Sequence, residues 1–266
     1  MRPAIGCPEP ASPGLTLPDL VFMVRIVMRT SPVPKVMLFD AEGTLFRILG
    51  SVGEVYLRHA KPYGVTATPE AIQQAFKRAF ADAPPPVFSV SDPQEAKSCE
   101  RLWWFDVVHN VFYRVGMFEG FDEFFEEVFQ YFARPDAWTL YPETLPVLTA
   151  LAARGLELGI VSNFDSRLYE ILIGLGIDRF FESVTISSFA GAAKPSPKIF
   201  QRALQKHGAK PEEAWHVGNS LRDDIEGASA AGVCGVWLDR GGQATTPAGP
   251  VTITSLSDLQ GLLGEG

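Results

Sequence analysis

Short apolar runs that each end at a polar residue recur along this chain, and stretches with helical periodicity separate them. The first run, Val-Met-Leu-Phe at residues 36–39, ends at Asp40. Runs like this are typical of strands that are buried on both faces of a parallel sheet. The alternation therefore predicts an α/β fold with a doubly wound, Rossmann-like parallel sheet. The later runs lie at 156–161, 183–187, 214–218 and 234–238.

The helical segments between these runs have recognisable ends. A Ser-Pro pair at 196–197 is typical of a helix start, and glycines follow the last periodic residues. The predicted helices are 143–154, 166–173, 196–207 and 223–231.

Residues 47–136 interrupt the alternation, because they contain helical periodicity at 69–80, 94–115 and 119–133 but no convincing strand. The segment is rich in aromatic residues, whose spacing favours the core of a small helical bundle and leaves room for one or two rings to face a substrate. The predicted organisation is a core at 35–46 and 137–242, an all-helical cap at 47–136 and a C-terminal tail at 243–266.

The first 34 residues contain one apolar run, at 20–28, which is interrupted by Arg25. Spanning a bilayer requires about 20 apolar residues, so no membrane helix is predicted. The order of residues also differs from that of a signal peptide, in which a basic segment comes first. We expect a disordered extension or a mis-assigned start with Met28 as the true first residue; the alternative is a short docking strand.

Charge and cysteine content exclude several classes of protein. A net charge of −8, from 31 acidic and 23 basic side chains, repels polyanions and disfavours nucleic-acid binding. Cys7, Cys99 and Cys234 are odd in number and far apart, which argues against a disulfide scaffold or a zinc site. These features favour a reducing, cytoplasmic location, while the oligomeric state cannot be read from the sequence.

Polar residues follow four of the predicted strands. Open parallel sheets bind ligands beyond the carboxyl ends of their strands, so we expect these side chains to converge on one site. They are Asp40, Ser162, Asn163, Lys194, Asn219, Asp223 and Asp224.

This set suits the hydrolysis of a phosphate ester. The carboxylate of Asp40 can attack phosphorus and form an acyl phosphate. Because two anions repel, the attack requires a divalent cation on oxygen ligands, with Asp40 and Asp223 or Asp224 as candidates, and the ammonium of Lys194. Ser162 can hold a phosphoryl oxygen, and Glu42 can carry the proton to and from the reacting oxygens.

Four segments of the chain, in order, resemble the motifs of the haloacid dehalogenase-like hydrolases. They are Asp40-x-x-Gly43-Thr44, Ser162-Asn163, Lys194-Pro195 and Gly218-Asn219-Ser220-x-x-Asp223-Asp224. The insertion resembles the helical cap of subfamily I, type IA. Shorter stretches such as Trp103-Trp104-x-Asp106 and Val161-Ser162-Asn163-Phe164-Asp165 are similar to the group around the rhythmically expressed gene two product.

The resemblance implies a Mg²⁺-dependent phosphatase that acts on a small phosphorylated metabolite, with Asp40 as nucleophile and the cap closing over the substrate. Glu42 and Lys194 are then the further catalytic residues. The expected substrate-binding residues are Thr44, Ser162 and Asn163. The candidate metal ligands are Asp40, Glu42, Asn219, Asp223 and Asp224, and the spacing of the family motif favours Asp224 over Asp223.

Two positions depart from the family's phosphatase pattern, which has aspartates where this chain has Glu42 and Asn219. They leave open a binding or scaffold protein that keeps the fold without turnover. A 2-haloacid dehalogenase is a third reading, although members of that group carry an aromatic residue at the position of Glu42 and need no metal. A nucleotide-dependent dehydrogenase is disfavoured, because its glycine fingerprint should follow the first strand and Asp-Ala-Glu-Gly-Thr is not that sequence.

Overall fold

The computed structural model describes residues 33–90, 92–242 and 249–264. Its main sheet contains six parallel strands in the order β5-β4-β1-β6-β7-β8, and helices pack on both faces. The predicted α/β architecture is therefore confirmed. The strands are β1 (Val36–Phe39), β4 (Glu157–Ser162), β5 (Ser183–Ile186), β6 (Ala214–Gly218), β7 (Cys234–Leu238) and β8 (Val251–Ile253).

Strand β1 lies in the middle of the sheet, between β4 and β6. All four of its residues are buried, because alternate side chains enter different cores. Met37 and Phe39 pack on one face, while Val36 and Leu38 pack on the other. Burial on both faces explains why this strand reads as a continuous apolar run, and its central place brings Asp40 to the middle of the carboxyl edge.

Helices of the core cover the two faces of the sheet. Leu148, Leu168 and Ile171 pack with the side chains of Met37 and Phe39, whereas Ile199 and Phe200 pack with those of Val36 and Leu38. The helices are α5 (Thr144–Ala153), α6 (Arg167–Gly174), α7 (Ser187–Ala190), α8 (Pro197–His207) and α9 (Gly227–Ala230), and a π-helical turn at Leu221–Glu226 leads into α9.

A helical insertion follows β1 and has its own apolar core, which includes Tyr56, Phe112, Phe124 and Phe125. Side-chain caps mark where three of its helices begin, at Ser51, Thr68 and Asp92. The helices of this insertion are α1 (Val52–Ala60), α2 (Pro69–Asp82), α3 (Pro93–Val115) and α4 (Phe121–Tyr131).

Two features of the structure were not predicted from the sequence. The insertion is bounded by a two-stranded antiparallel ribbon of β2 (Phe46–Ile48) and β3 (Trp138–Leu140). Helix α1 was also missed. Strands of three residues are too short to show a period of two, so only the tertiary pairing defines them.

The prediction that the core ends at residue 242 is corrected by the structure. Strand β8 pairs in parallel with β7, and α10 (Leu259–Leu262) follows it. Leu256 and Leu259 are fully buried in the main core. These apolar segments are short and follow a stretch rich in glycine, proline and threonine, so the sequence did not indicate a strand or helix there.

The predictions for the N-terminal extension fall largely on residues 1–32, which lie outside the described residues, as does Cys7. Among the helices that the structure describes, none has the length and apolar character needed to cross a bilayer.

Candidate active site

A buried cluster of charges lies at the carboxyl edge of the sheet, where the sequence predicted a site. The Nζ atom of Lys194 is 2.6 Å from Oδ1 of Asp40 and 2.6 Å from Oδ1 of Asp224. The exposed fractions of the Lys194 and Asp224 side chains are only 3% and 1%. The end of β1, the loop before α8 and the segment after β6 thus bring together three residues that are far apart in sequence.

Two residues after β4 complete this arrangement. The hydroxyl of Ser162 donates a hydrogen bond of 2.9 Å to Oδ1 of Asp40. Asn163 pairs with the backbone of Lys194: its Oδ1 accepts from the Lys194 N–H at 2.7 Å, and its Nδ2 donates to the Lys194 carbonyl at 2.9 Å. Asn163 therefore holds the lysine loop against β4, in addition to lining the pocket described below.

The carboxylate of Asp224 is held on several sides. Its Oδ1 lies 2.9 Å from Nε2 of the fully buried His216, and its Oδ2 accepts from the backbone N–H of Ser220 at 2.9 Å. A Cβ atom at Gly218 would come within 2.1 Å of Asp224 Cγ, so only glycine allows this approach. Asp224 thus acts as the anchor of Lys194, with both carboxylate oxygens already in use.

The electrostatics of the cluster keep Lys194 charged. Burial alone would lower its pKa, but Asp224 and Asp40 hold the pKa above its usual value. Burial would raise the pKa of Asp224, yet Lys194 and His216 hold it well below its usual range. For Asp40, burial raises the pKa and the Lys194 ammonium opposes that rise. The cluster can therefore present a fixed positive charge beside the Asp40 carboxylate.

A cavity of about 610 Å³ opens between this edge and the helical insertion. Every predicted site residue except Thr44 lines it. Glu42 faces the open cavity, but protein atoms around it reduce its hydration. This desolvation, followed by the charge of Asp40, raises the pKa of Glu42 to about 7. A carboxyl group with that pKa can both donate and accept a proton near neutral pH.

Thr44 is the predicted substrate contact that the structure does not bring to the cavity. It is fully buried, and among the described residues its hydroxyl has no hydrogen-bond partner. The turn before it depends on Gly43, which has φ +81°; a Cβ there would lie 2.5 Å from Nδ2 of Asn219. Arg240 fixes the same turn from outside by donating to the Thr44 carbonyl at 2.8 Å and to Glu143 at 2.6 Å.

Sequence reasoning missed a polar link between the insertion and the core. The indole Nε1 of Trp104 donates to Oδ2 of Asp165 at 2.6 Å, and Arg167 Nε donates to Oδ1 at 2.9 Å. The guanidinium of Arg167 also lies 4.2 Å from the centre of the Phe129 ring. The sequence signal was limited to an aspartate two residues before α6, and Oδ1 of Asp165 accepts from the Arg167 N–H at 3.0 Å.

The residues that could hold a cation are all oxygen donors. In the part of the chain that the structure describes, no three His, Cys, Asp or Glu side chains form a ready-made metal cluster. Asp40, Asp223 and the amide of Asn219 nevertheless share the cavity. Burial and the charge of Asp224 raise the pKa of Asp223, against the effect of Lys194. The positive charge of Lys194 thus does not fully balance the negative charge of the acids at this edge. A set of two carboxylates and one amide oxygen fits a hard divalent ion.

Comparison with known proteins gives the chain a family. A model described as haloacid dehalogenase-like hydrolase matches residues 34–232. Haloacid dehalogenase-like hydrolase domain-containing protein 3 of Homo sapiens is 34% identical over 218 residues, covering 80% of this chain and 84% of that protein. A glyceraldehyde 3-phosphate phosphatase of Methanopyrus kandleri is 46% identical over 102 residues, which are 38% of this chain and 44% of that enzyme.

Solved structures show the same fold. A phosphatase from Thermococcus onnurineus aligns with a TM-score of 0.60 at 24% identity, over 86% of this chain and 98% of that one. A 2-haloacid dehalogenase from Pseudomonas syringae aligns with a TM-score of 0.59 at the same identity and the same coverage. Shared architecture at this identity does not distinguish the two reactions. The chain belongs to the haloacid dehalogenase-like hydrolases.

Proposed function

We propose that this hydrolase is a phosphatase that cleaves small phosphomonoesters through an aspartyl phosphate on Asp40. The observation that carries the proposal is the contact of Lys194 and Ser162 with one oxygen of Asp40, at 2.6 and 2.9 Å. Among the described residues, the other oxygen, Oδ2, accepts no hydrogen bond from the protein. That oxygen remains available to attack phosphorus while its partner is held in place.

Four residues of this chain have roles in the proposed reaction. Oδ2 of Asp40 forms a bond to phosphorus as the bond to the substrate alcohol breaks, and Lys194 and Ser162 stabilise charge on the reacting groups. Glu42 donates a proton to the departing alcohol oxygen. It then removes a proton from the water that attacks the aspartyl phosphate, which releases inorganic phosphate and restores Asp40.

We also propose that Mg²⁺ binds at this edge, through Asp40, Asp223 and the amide oxygen of Asn219. When bound, the ion would supply positive charge that offsets the repulsion of the two anions. Asp224 was favoured over Asp223 as a ligand from the family spacing, but both of its oxygens accept bonds from the protein. Asp223 is therefore the better candidate, and Asn219 adds an oxygen ligand without charge.

The helical insertion is proposed to act as a cap over the substrate, as the resemblance to subfamily IA implies. A small phosphorylated metabolite fits the cavity between the two parts of the chain. The match to a named phosphatase over 38% of the chain supports this class of reaction.

A binding or scaffold protein is the alternative that specific residues favour. Glu42 is one methylene longer than aspartate, and Asn219 lacks the charge of an acid, so both can weaken turnover. Haloacid dehalogenation is less well supported, because a proton-carrying Glu42 beside Asp40 has no role in displacing halide.

The test measures phosphate release from an aryl phosphate with and without Mg²⁺, and chloride release from 2-chloropropionate. We expect Mg²⁺-dependent phosphate release that falls by at least about 1000-fold in Asp40→Asn, because the neutral amide is not a nucleophile. The Asp82→Asn variant, at an exposed acid paired with Arg114, is the matched control and should retain full activity. Activity that survives in Asp40→Asn would refute the mechanism, and chloride release without phosphate release would identify a dehalogenase.

A further inference from the structure

We infer that the cavity selects phosphomonoesters whose alcohol carries a flat apolar group, such as an arylalkyl alcohol, over phosphates of polyols. This inference rests on the proposed function and specifies its substrate class. It is carried by the aromatic side chains that the helical insertion contributes to the cavity.

Four of these aromatic rings contact one another. Trp103 and Trp104 meet edge to face with ring centres 4.9 Å apart, and Phe80 contacts them at 5.8 and 6.0 Å. Phe76 extends the set, with its ring centre 5.6 Å from that of Phe80. We call Phe76, Phe80, Trp103 and Trp104 the aromatic wall. Such rings bind flat apolar groups by stacking and edge-to-face contact.

Several polar groups beside the aromatic wall are already bonded to the protein. Arg47 and Lys77 also line the cavity, but both are exposed cations that remain in contact with solvent. The indole N–H groups of Trp103 and Trp104 donate to the carbonyl of Pro84 at 2.8 Å and to Asp165 at 2.6 Å. The amide oxygen of Gln73 accepts from the Gly53 N–H at 2.9 Å, and the Ser51 hydroxyl bonds to Glu54. Several hydroxyls of a polyol would therefore lose water here without equal replacement, which disfavours their binding.

One hydroxyl on a buried side chain near the wall makes no hydrogen bond with the described residues. Tyr56 lines the cavity with 2% of its surface exposed, and within the described residues its hydroxyl makes no hydrogen bond. Its ring is fixed by edge-to-face contacts with Phe76 and Phe132, both at 6.1 Å. Buried hydroxyls normally have a partner, so a single polar substituent on the bound group would suit this position.

The cavity is large enough for such a substrate. Its volume of about 610 Å³ lies in the range typical of pockets for drug-sized ligands, and it joins the aromatic wall to the carboxyl edge of the sheet. A phosphate at Asp40 can therefore extend a ring towards Phe80 and Trp103 within one continuous space.

The experiment compares 2-phenylethyl phosphate with glycerol 3-phosphate. Both release an alkyl alcohol, so their intrinsic reactivity is similar and binding decides the difference. We expect kcat/KM to be at least about tenfold higher for 2-phenylethyl phosphate. Phe80→Ala should lower that ratio by about tenfold; the side chain is 43% exposed, so its truncation spares the core. Tyr113→Ala, at a residue of α3 that is 74% exposed and does not line the cavity, is the control and should leave the ratio unchanged.

Each result supports or overturns the inference. Equal kcat/KM for the two esters, or equal losses in Phe80→Ala, would overturn the substrate class while the phosphatase stands. If neither ester is hydrolysed, quenching of tryptophan fluorescence by 2-phenylethyl phosphate decides the inference; the proposed function fails only if the aryl phosphate is not hydrolysed either. Saturable quenching that is weakened about tenfold in Phe80→Ala would support the aromatic subsite, and absence of quenching would overturn it.

Discussion

The ammonium of Lys194 lies 2.6 Å from the carboxylate of Asp40, and both groups are almost fully enclosed by protein. Removing one partner of a charge pair in such surroundings destabilises the fold, because the other charge stays buried without compensation. The same contact places positive charge beside the proposed nucleophile. Function and stability are therefore linked at this pair.

Replacing Lys194 by Met should impair both properties. The substitution leaves Asp40 and Asp224 without their shared cation, and breaking a buried pair typically costs about 3–5 kcal/mol. We expect kcat to fall by at least about 100-fold, because charge stabilisation at the site is lost. Urea unfolding and phosphate release measure the two effects. Lys198→Met, at an exposed lysine four residues away, is the control; equal effects of both variants would contradict the assigned role.

Comparing Gly43→Ala with Gly64→Ala should separate the effect of backbone strain from that of a steric clash with Asn219. Gly43 and Gly64 have similar φ values, +81° and +83°, but an added Cβ meets Asn219 at Gly43 and nothing within 4 Å at Gly64. Both variants should lose about 1–2 kcal/mol of unfolding free energy from strain. Only Gly43→Ala should also reduce kcat/KM, by about tenfold or more, since it displaces Asn219. An unchanged kcat/KM in Gly43→Ala would show that this turn does not position the site.

Shortening Glu42 to Asp tests how the pocket uses the longer side chain. If the extra methylene of Glu42 moves its carboxyl away from the best position for proton transfer, Glu42→Asp should match or raise the rate of phosphate release. Glu42→Gln should lower the rate by about 100-fold or more, because the amide cannot carry the proton. Steady-state kinetics with an alkyl phosphate measure both, since an alkyl alcohol needs the proton. A large loss in Glu42→Asp would show instead that the pocket is built around glutamate.

The link between the insertion and the core should depend on pH through Asp165. Burial alone would raise the pKa of this carboxyl, but the charge and hydrogen bonds of Arg167 hold it below the usual value. A lowered folded-state pKa stabilises the fold above about pH 4, and that stabilisation is lost as the pH falls through the folded-state pKa.

The corresponding variant is Asp165→Asn. Its unfolding free energy at pH 7 should lie about 3 kcal/mol or more below that of the wild type, because Arg167 loses its partner. The gap should narrow as the pH falls below about 4, because the unfolded wild-type chain begins to bind a proton at this carboxylate there while the folded chain does not. Urea unfolding at several pH values measures the gap, and Asp178→Asn, at an acid whose side chain has no hydrogen bond within the described residues, is the control. A gap that stays constant from pH 7 to pH 3 would contradict this account.

The sequence by itself determined the fold class and indicated which polar residues meet at the carboxyl edge of the sheet, because both follow from local patterns. Apolar runs that end at Asp40 and Ser162 indicate buried parallel strands, and the carboxyl ends of parallel strands meet at one edge of the sheet. The structure brings these residues together with Lys194 and Asp224, as that reasoning requires.

Only the tertiary structure decided which partner each of these residues contacts. Asp224 is bonded to Lys194, His216 and Ser220, Thr44 is turned away from the cavity, and Trp104 bonds to Asp165 across 61 residues of sequence. Contacts between distant segments depend on strand order and side-chain packing, which leave no periodic trace in a single sequence. For the same reason the three-residue strand Val251–Ile253 became visible only through its pairing with β7.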